Sequence, residues 1–394
     1  MGLMHLLTQP VMSLQDACTQ ATQAIFGCDP NPRVGCVIMD VNGRLLGRGH
    51  TQRVGQAHAE VMALRAARDT GHDARGATAY VTLEPCSHFG RTPPCCDALI
   101  EAGIARVVVA QQDPNPLVAG QGIARLRAAG VEVTVLDPTD PLAIATRELN
   151  IGFFSRMVRK TPWVRMKIAA SLDGKTALNN GASQWITSDA ARADGHAWRA
   201  RASAVLTGIG TVLADNPRLD VRLVNTPRQP HLVVVDSRLE TPLDAQLFMA
   251  SRSLYIYAAV PNDARKAALE ARGATVVYLP GHLPGTESKV DLAAMLRDLG
   301  QREINELHVE AGHKLNGSLV REGLVDEFVV YLAPKLIGQG CDMASFGPLT
   351  ELSKATPLEF RSTDMLGPDL RIVARIPGRD QFQATSPGGQ RADG

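Results

Sequence analysis

His58 and Glu60 stand two residues apart in "HAEVMALRAA", and "LEPCSHFGRTPPCC" further on carries Cys86, Cys95 and Cys96. An imidazole and thiolates are zinc ligands, and a catalytic zinc site wants three of them, a fourth position for water, and a nearby carboxylate that does not ligate. Two thiolates and one imidazole partly neutralise Zn²⁺ yet leave it acidic enough to bring the pKa of a bound water toward neutrality. Glu60 can then take a proton from that water, hand it to a substrate ring nitrogen, and later protonate a departing amine. His58 and Glu60 fall at the start of one helix. Cys86 follows Pro85 at the end of a strand, and Cys95 or Cys96 opens the next helix, where the helix dipole favours a thiolate. Spacing alone does not choose between these two. The competing readings are a capping histidine with buried apolar cysteines, or a closed structural zinc knuckle. A closed site would want a fourth ligand and would leave Glu60 idle.

The elements that must position these residues follow from periodicity. "SLQDACTQATQAIFG" puts Leu14, Cys18, Ala21 and Ile25 on one helical face before Gly27, which makes Cys18 core. "RVGCVIMD" and "VNGRLLGRG" read as a hairpin through an Asn-Gly turn. After the helix from His58 come strand "ATAYVTLE", helix "CCDALIEAG", strand "ARVVVAQQD", helix "GIARLRAAG" and strand "VEVTVL". Such alternation is that of an α/β layered sandwich. The rhythm stops around "LNIGFFSRMVRKTPW". The domains are therefore set at 1–150, a linker at 151–162, a second α/β domain at 163–377, and a flexible tail at 378–394. The second half places strands "WVRMKIAAS", "SAVLTG", "HLVVVDS", "SLYIYAAV", "ATVVYL", "ELHVEAG" and "EFVVYLAPKLIG" around a helix at "TSDAARADGHAWRA", a sheet with helices on its faces.

Bulk properties narrow the function. A chain of 394 residues is too long for one hydrophobic core, and 45% apolar with 21% charged residues is the composition of a soluble enzyme. Lysine plus arginine (41) nearly balance aspartate plus glutamate (40), so a broad basic field for nucleic acid is lacking and a small-molecule substrate is expected. The longest apolar runs are of strand length, which argues against a membrane span. The first residues lack the pattern of a secretion signal, and a cytoplasmic location is expected. Seven cysteines, clustered only at 86, 95 and 96, point to metal rather than to a disulfide framework.

"HAEVMAL", "TLEPCSHFGRTPPCCDALIEAGI" and "DPNPLVAGQGIARLRAAGVEV" resemble the deaminase half of the bifunctional riboflavin-biosynthesis deaminase/reductase family, which implies a cytidine-deaminase-like fold. The resemblance assigns zinc to His58, Cys86 and Cys95, proton transfer to Glu60, and an inward-pointing role to Cys96. It also places His88 and Arg91 near the ribose-phosphate and Asn31 near the pyrimidine. One departure stands out: the family commonly has histidine where this chain has Thr51, and His50, one place early on a strand, faces the other side.

The second half has no G-x-G-x-x-G after its first strand, so a Rossmann site is not indicated. "KIAASLDGKTA", "SQWITSDAARADGHAWRARASAVLTGIGTVLADNPRLDVR", "VVVDS" and "VEAGHKLNGSL" are similar to the family's reductase domain, which implies a dihydrofolate-reductase-like fold and NADPH. The resemblance gives the cofactor Ala169, Trp185, Thr211, Asp215, Ser237 and a loop of Gly312, His313, Lys314, Leu315, Asn316, Gly317 and Ser318. It gives the substrate Ser183, Arg199, Leu219, Arg222 and Glu310, the two arginines as phosphate clamps. His313 and Lys314 add charge where smaller residues are common, which would suit the 2′-phosphate of NADPH. Asp173 and Lys175 in "SLDGKT" sit at a turn that serves equally for chain reversal or for placing Lys175 at the site. The implied enzyme uses Zn²⁺ to deaminate a phosphorylated diaminopyrimidinone and NADPH to reduce its ribose, as a homo-oligomer. A deaminase of another nucleoside or of tRNA, and a zinc-stabilised binding protein without turnover, are the alternatives.

Overall fold

The computed structural model describes residues 13–88, 93–116, 118–282 and 285–382. The chain forms two compact units, one running through Arg159 and including Phe382, the other spanning Lys160–Gln381.

In the first unit residues 13–22 form α1. Then follow β1 (Gly35–Met39), β2 (Leu45–His50), α2 (Ala59–Asp69), β3 (Thr78–Val81), α3 (Cys95–Glu101), β4 (Arg106–Val109), α4 (Gln121–Ala128), β5 (Glu132–Val135), α5 (Pro141–Leu149) and α6 (Ile151–Arg159). The sheet order is β2-β1-β3-β4-β5, antiparallel across β2, β1 and β3 and parallel from β3 to β5. The hairpin reverses at Gly43, whose φ of 78° suits glycine, while Asp40 Oδ1 accepts from the amides of Asn42 and Arg44. Ala59, Ala63 and Ala67 of α2 and Leu99 of α3 pack on one face of this sheet, and Leu14 and Ala17 of α1 on the other. A Cβ on Gly47 would lie 2.2 Å from the carbonyl oxygen of Ala63, so small residues let α2 lie flat on the hairpin.

Three expectations for this unit are corrected. The helix of α1 ends at residue 22, and Ile25 sits in the turns that follow. Cys18 is only partly buried, its Sγ 3.7 Å from Thr146 Oγ1, because Leu14, Ala17 and Ala21 form the buried stripe instead. Most of the presumed linker is the helix α6: Ile151 and Phe154 lie three apart and are buried, a helical stripe. Of the presumed tail, residues 383–394 lie outside the described residues, but Phe382 packs against Phe154 with ring centroids 5.8 Å apart.

The second unit comprises β6 (Trp163–Ser171), β7 (Lys175–Leu178), α7 (Asp189–Arg201), β8 (Ala204–Gly208), α8 (Ile209–Asp215), β9 (His231–Val235), β10 (Leu254–Ala258), α9 (Asp263–Ala271), β11 (Ala274–Tyr278), α10 (Leu292–Gln301), β12 (Glu306–Val309), α11 (His313–Arg321), β13 (Glu327–Ala333), β14 (Gly340–Asp342), β15 (Glu359–Leu366) and β16 (Asp369–Arg375). Nine strands run in the order β11-β10-β9-β8-β12-β6-β13-β16-β15. They are parallel from β11 to β13, and β16 and β15 close the edge antiparallel. The final hairpin β15–β16 has no counterpart in the sequence reading, because its edge strand is mostly exposed and lacks clear alternation of apolar residues. Buried Val, Leu and Ile of the central strands meet α10 and α11 on one face and α8 and α9 on the other. On the face shared with α7, Arg165 is fully enclosed and bonds Glu306 at 2.6 Å and Glu327 at 2.5 Å.

In the first unit Glu84, buried past β3, accepts the amides of Asp113, Gly120, Gly122 and Ile123 at 3.1, 2.9, 2.9 and 3.1 Å. Gly122 is pressed so close that a Cβ there would lie 2.0 Å from the carbonyl oxygen of Pro85. Gly122→Ala should therefore cost about 1–3 kcal/mol of stability and weaken zinc retention by moving the Pro85–Cys86 turn. Denaturant unfolding with metal analysis checks this.

Candidate functional site

Three separate turns bring the first group together. His58 is the N-cap of α2, Glu60 lies in its first turn, Cys95 begins α3, and Cys86 lies in the turn after β3. The donor atoms of His58, Cys86 and Cys95 all lie within 4.8 Å of one another, the cluster of this kind found among the described residues. Nδ1 of His58 is 3.6 Å from Cys86 Sγ and 3.3 Å from Cys95 Sγ. The amide of Cys95, at the buried N-terminus of α3 where no intrahelical acceptor exists, donates to Cys86 Sγ at 3.3 Å. Cys96 turns the other way, its thiol against the carbonyl oxygens of Pro85 and Gly122 at 3.2 and 3.5 Å. Helical geometry thus separates the two cysteines that spacing left equivalent.

Electrostatics within the cluster is divided unequally. The Cys95 thiol, then the His58 ring and a backbone amide, pull Cys86 down to about 4, despite burial, and the Cys86 thiolate in turn pushes Cys95 up. His58 is raised chiefly by its contact with Cys86. Glu60 is 3% exposed, and burial followed by the Cys86 charge raises it to about 7. Two sulfurs and one imidazole nitrogen, with a carboxyl alongside and no fourth side-chain donor in the cluster, suit a zinc ion with an open position.

The surrounding residues are more varied. Asn31 lies in a turn closed by its amide on the Cys28 carbonyl at 2.9 Å. His88 is exposed and within electrostatic reach of Asp113. Arg91 lies outside the described residues. Thr51 is buried, its Oγ1 accepting the amide of Val34 at 3.1 Å, so it serves the backbone. Gly49 faces α2 and Thr51 shares that face, which leaves His50 on the other. A residue the sequence reading passed over is Asp113 of "DPNP", raised to about 6 by burial and by the charges of Glu84 and Cys86. Its signal was an acid in a turn otherwise rich in proline and asparagine.

The second unit holds a cavity of about 1430 Å³, where the C-terminal ends of β8, β9 and β12 meet the helices that follow. Ala169, Ser183, Trp185, Arg199, Thr211, Asp215, Leu219, Arg222, Ser237 and Glu310 all line it, with Gly312, His313, Lys314, Leu315, Asn316 and Ser318. Gly317 is the exception: it is packed against Ser345, whose carbonyl oxygen would be 1.8 Å from an added Cβ. This stretch runs from a strand into a helix start, with Gly312 the N-cap and His313–Ser318 the first turns of α11. Lys175 pairs with Asp342 at 2.5 Å, while Asp173 accepts the amides of Ile337 and Gly338, a turn role.

Arg199, which lies on α7 and is largely buried, gives both arms of its guanidinium to Glu310, and donates to the carbonyl of Asp220 at 3.0 Å. Arg222 bonds Asp220 Oδ1 at 2.7 Å. Lys167, missing from the sequence reading, lines the same cavity 3.8 Å from Glu310, and burial lowers its affinity for a proton. Its signal was alternation: Arg165 and Lys167 two apart in "WVRMKIAAS" give that strand one charged face. Burial would raise Glu310, but Arg199 and then Lys167 outweigh it and hold the carboxyl well below its ordinary range.

Both halves of the chain resemble known proteins. Residues 9–111 match the "cytidine and deoxycytidylate deaminase zinc-binding region" and residues 162–372 the "RibD C-terminal domain". The riboflavin biosynthesis protein RibD of Escherichia coli is 43% identical, covering 89% of this chain and 95% of that protein. The RibD of Aquifex aeolicus is 40% identical over 87% of this chain and 92% of its own. Among solved structures, Acinetobacter baumannii RibD superimposes with a TM-score of 0.82 at 37% identity, covering 94% of this chain and 99% of that one. A Thermotoga maritima diaminohydroxyphosphoribosylaminopyrimidine deaminase/5-amino-6-(5-phosphoribosylamino)uracil reductase gives 0.80 at 32% identity, with the same coverage. The units accordingly have the cytidine-deaminase-like and dihydrofolate-reductase-like folds expected of them. With a zinc-type donor set in one unit, a reductase cavity in the other, and relatives alike over nearly their whole length, this chain belongs to the bifunctional deaminase/reductase family of riboflavin biosynthesis, enzymes of Zn²⁺ and NADPH.

Proposed function

We propose that His58, Cys86 and Cys95 hold the zinc and that Glu60 carries the protons of the deamination. The observation that bears most weight is a carboxyl enclosed beside an open three-donor cluster. Bound zinc supplies the Lewis acidity that makes water a nucleophile near neutral pH. Glu60 accepts a proton from the water as its oxygen bonds the amino-bearing carbon of the pyrimidine, and passes that proton to the adjacent ring nitrogen. Glu60 then takes the second proton from the hydroxyl now on that carbon and delivers it to the amine, so that the carbonyl forms as the carbon–nitrogen bond breaks and ammonia departs. Asn31, His88 and Arg91 orient the base and ribose-phosphate, and Asp113 lines the same approach.

For the second reaction NADPH supplies the hydride that reduces the opened ribosylamino group to a ribitylamino group. Ala169, Trp185, Thr211, Asp215, Ser237 and the first turns of α11 hold the cofactor, whose phosphates are favoured by the amides at that helix start. His313 and Lys314 add positive charge beside it. Ser183, Leu219, Arg222, Arg199 and Glu310 hold the substrate, and Lys167 with Glu310 forms an ion pair able to exchange a proton with the opened sugar. The deaminase is assigned to residues 1–150 and the reductase to 163–377, and the division of the chain into units at Arg159/Lys160 supports that reading. Among the described residues no helix is long and apolar enough to cross a membrane, and the balanced charge suits a small-molecule substrate.

Glu60→Gln should retain stoichiometric zinc and lose ammonia release by about 10²–10⁴-fold, measured by metal analysis and an ammonia assay on the same preparation. Undiminished release would remove the carboxyl from the reaction. Chelation of the zinc should stop ammonia release while NADPH oxidation with the deaminated intermediate continues. Lys167→Met should reverse that pattern, keeping deamination and losing reduction. Equal loss of both activities in either case would count against separate sites.

A further inference from the structure

His308 stands in the middle of β12, has no measurable exposure, and finds no hydrogen-bond partner for either ring nitrogen. An unpaired buried polar group is costly, so its presence asks for a reason. Strand geometry supplies the setting. Side chains two apart share a face, which puts His308 between Glu306 of β12 and Glu310 just past its end, and pairs it across the ladder with Arg165 of β6. The groups that face it are Arg165, Lys167, Arg199 and Glu310. Burial and then these cations, against the pull of Glu310, keep the imidazole neutral, its pKa lowered to about 3. Its Nε2 lies 3.6 Å from Oε1 of Glu310, just beyond hydrogen-bond distance.

Oε1 is the oxygen that Arg199 Nε now occupies, and Arg199 Nη2 holds Oε2 at 2.9 Å. The same arginine is assigned to the substrate of the reductase, and its fork cannot serve the substrate phosphate while both arms are on Glu310. If it turned to phosphate with nothing in its place, a largely buried carboxylate would lose its best partner. We propose that His308 is a positioning residue that works by partner exchange: when the substrate phosphate draws Arg199 away, the Nε2–H of His308 closes on Oε1 of Glu310 and keeps that carboxylate ionised and in place beside Lys167. A neutral donor is suited to this role because it adds no fourth cation to the cluster of Arg165, Lys167 and Arg199. Catalytic hydrogen bonds are often long in the unliganded enzyme and tighten in the complex, which is the sense of the 3.6 Å separation.

The inference rests on the assignment of Arg199 and Glu310 to the reductase substrate site, and the test separates the two. In the full-length zinc-loaded enzyme, His308→Leu keeps the bulk and removes the donor, while His308→Gln restores an amide N–H at a similar reach. The leucine variant should lose roughly 10- to 100-fold in reductase kcat/KM for the deaminated intermediate, the glutamine variant should recover most of it, and ammonia release and NADPH affinity should be unchanged in both. In the wild-type enzyme labelled with ¹⁵N-histidine, the Nε2–H resonance of His308 should move downfield when substrate and NADP⁺ are added, a readout that does not depend on any variant folding. A leucine variant as active as wild type, or an Nε2–H resonance unmoved by saturating substrate, overturns the exchange. Arg199→Lys tests the underlying assignment by itself: an unchanged substrate KM removes Arg199 from the site, and a raised KM beside a silent His308→Leu leaves the site standing and the exchange refuted.

Discussion

A carboxylate taken out of water must be met by donors or give up its charge, and this protein meets that constraint three ways. Glu84 is surrounded by four backbone amides and becomes a structural pin. Glu310 is matched by Arg199 and Lys167 and stays ionised on the wall of the reductase cavity. Glu60 is matched less fully: the His58 ring, a backbone amide and the Cys95 thiol hold it down less than burial and the Cys86 charge push it up, and its proton is held more tightly than usual. The same side chain thus becomes a fastener, a fixed charge and a proton carrier according to what the fold places around it.

The pin has consequences for the metal cluster. Glu84 draws the loop from Asp113 to Ile123 onto the turn containing Pro85 and Cys86, and Gly122 permits the approach by lacking a side chain. Cys96 seals the contact with its thiol on two backbone carbonyls, which fixes the rotation of α3 and leaves Cys95 facing His58. In the other unit the cavity lies beyond the C-terminal ends of parallel strands, the usual place for ligands in open α/β sheets. The connections after β9 and β12 carry Ser237 and Glu310 to its wall, and Ile209 reaches it as the first residue of α8.

How much of this was legible from the sequence depends on the range of the interaction. The Asn-Gly hairpin, the helix after His58 and the apolar strands follow from local chemistry, and their bounds in the fold are close to those read from the residues. The metal cluster was legible because soft ligands have few other uses in that pattern. What escaped was decided by contacts far apart in the chain. Cys18 fits a helical stripe on paper but yields its buried place to Ala17, and residues 151–159 broke the strand-helix rhythm although they form a helix. The pairing of Arg199 with Glu310 joins residues separated by 111 positions, so spacing carried no sign of it, and both residues were reached only through the family resemblance. Lys167 shares a strand face with Arg165, but its partner Glu310 lies far along the chain, so the alternation alone did not give it a role.

Glu60 illustrates why burial without a matched cation belongs at a reacting centre. A shuttle must take a proton from water and give it up to a nitrogen, so a proton affinity near that of the medium serves both steps. Raised to about 7 by burial and by the Cys86 charge, Glu60 is near that balance. A dication held by the neighbouring donors would favour the ionised form, readying the carboxylate to accept the first proton. As negative charge collects on the substrate, the proton becomes easier to pass on. A fixed partner such as Arg199 would have tied the carboxylate down, and the backbone amides around Glu84 would have done the same. Glu60 is enclosed but lacks a matched cation of that kind, and this is what leaves it able to give its proton back.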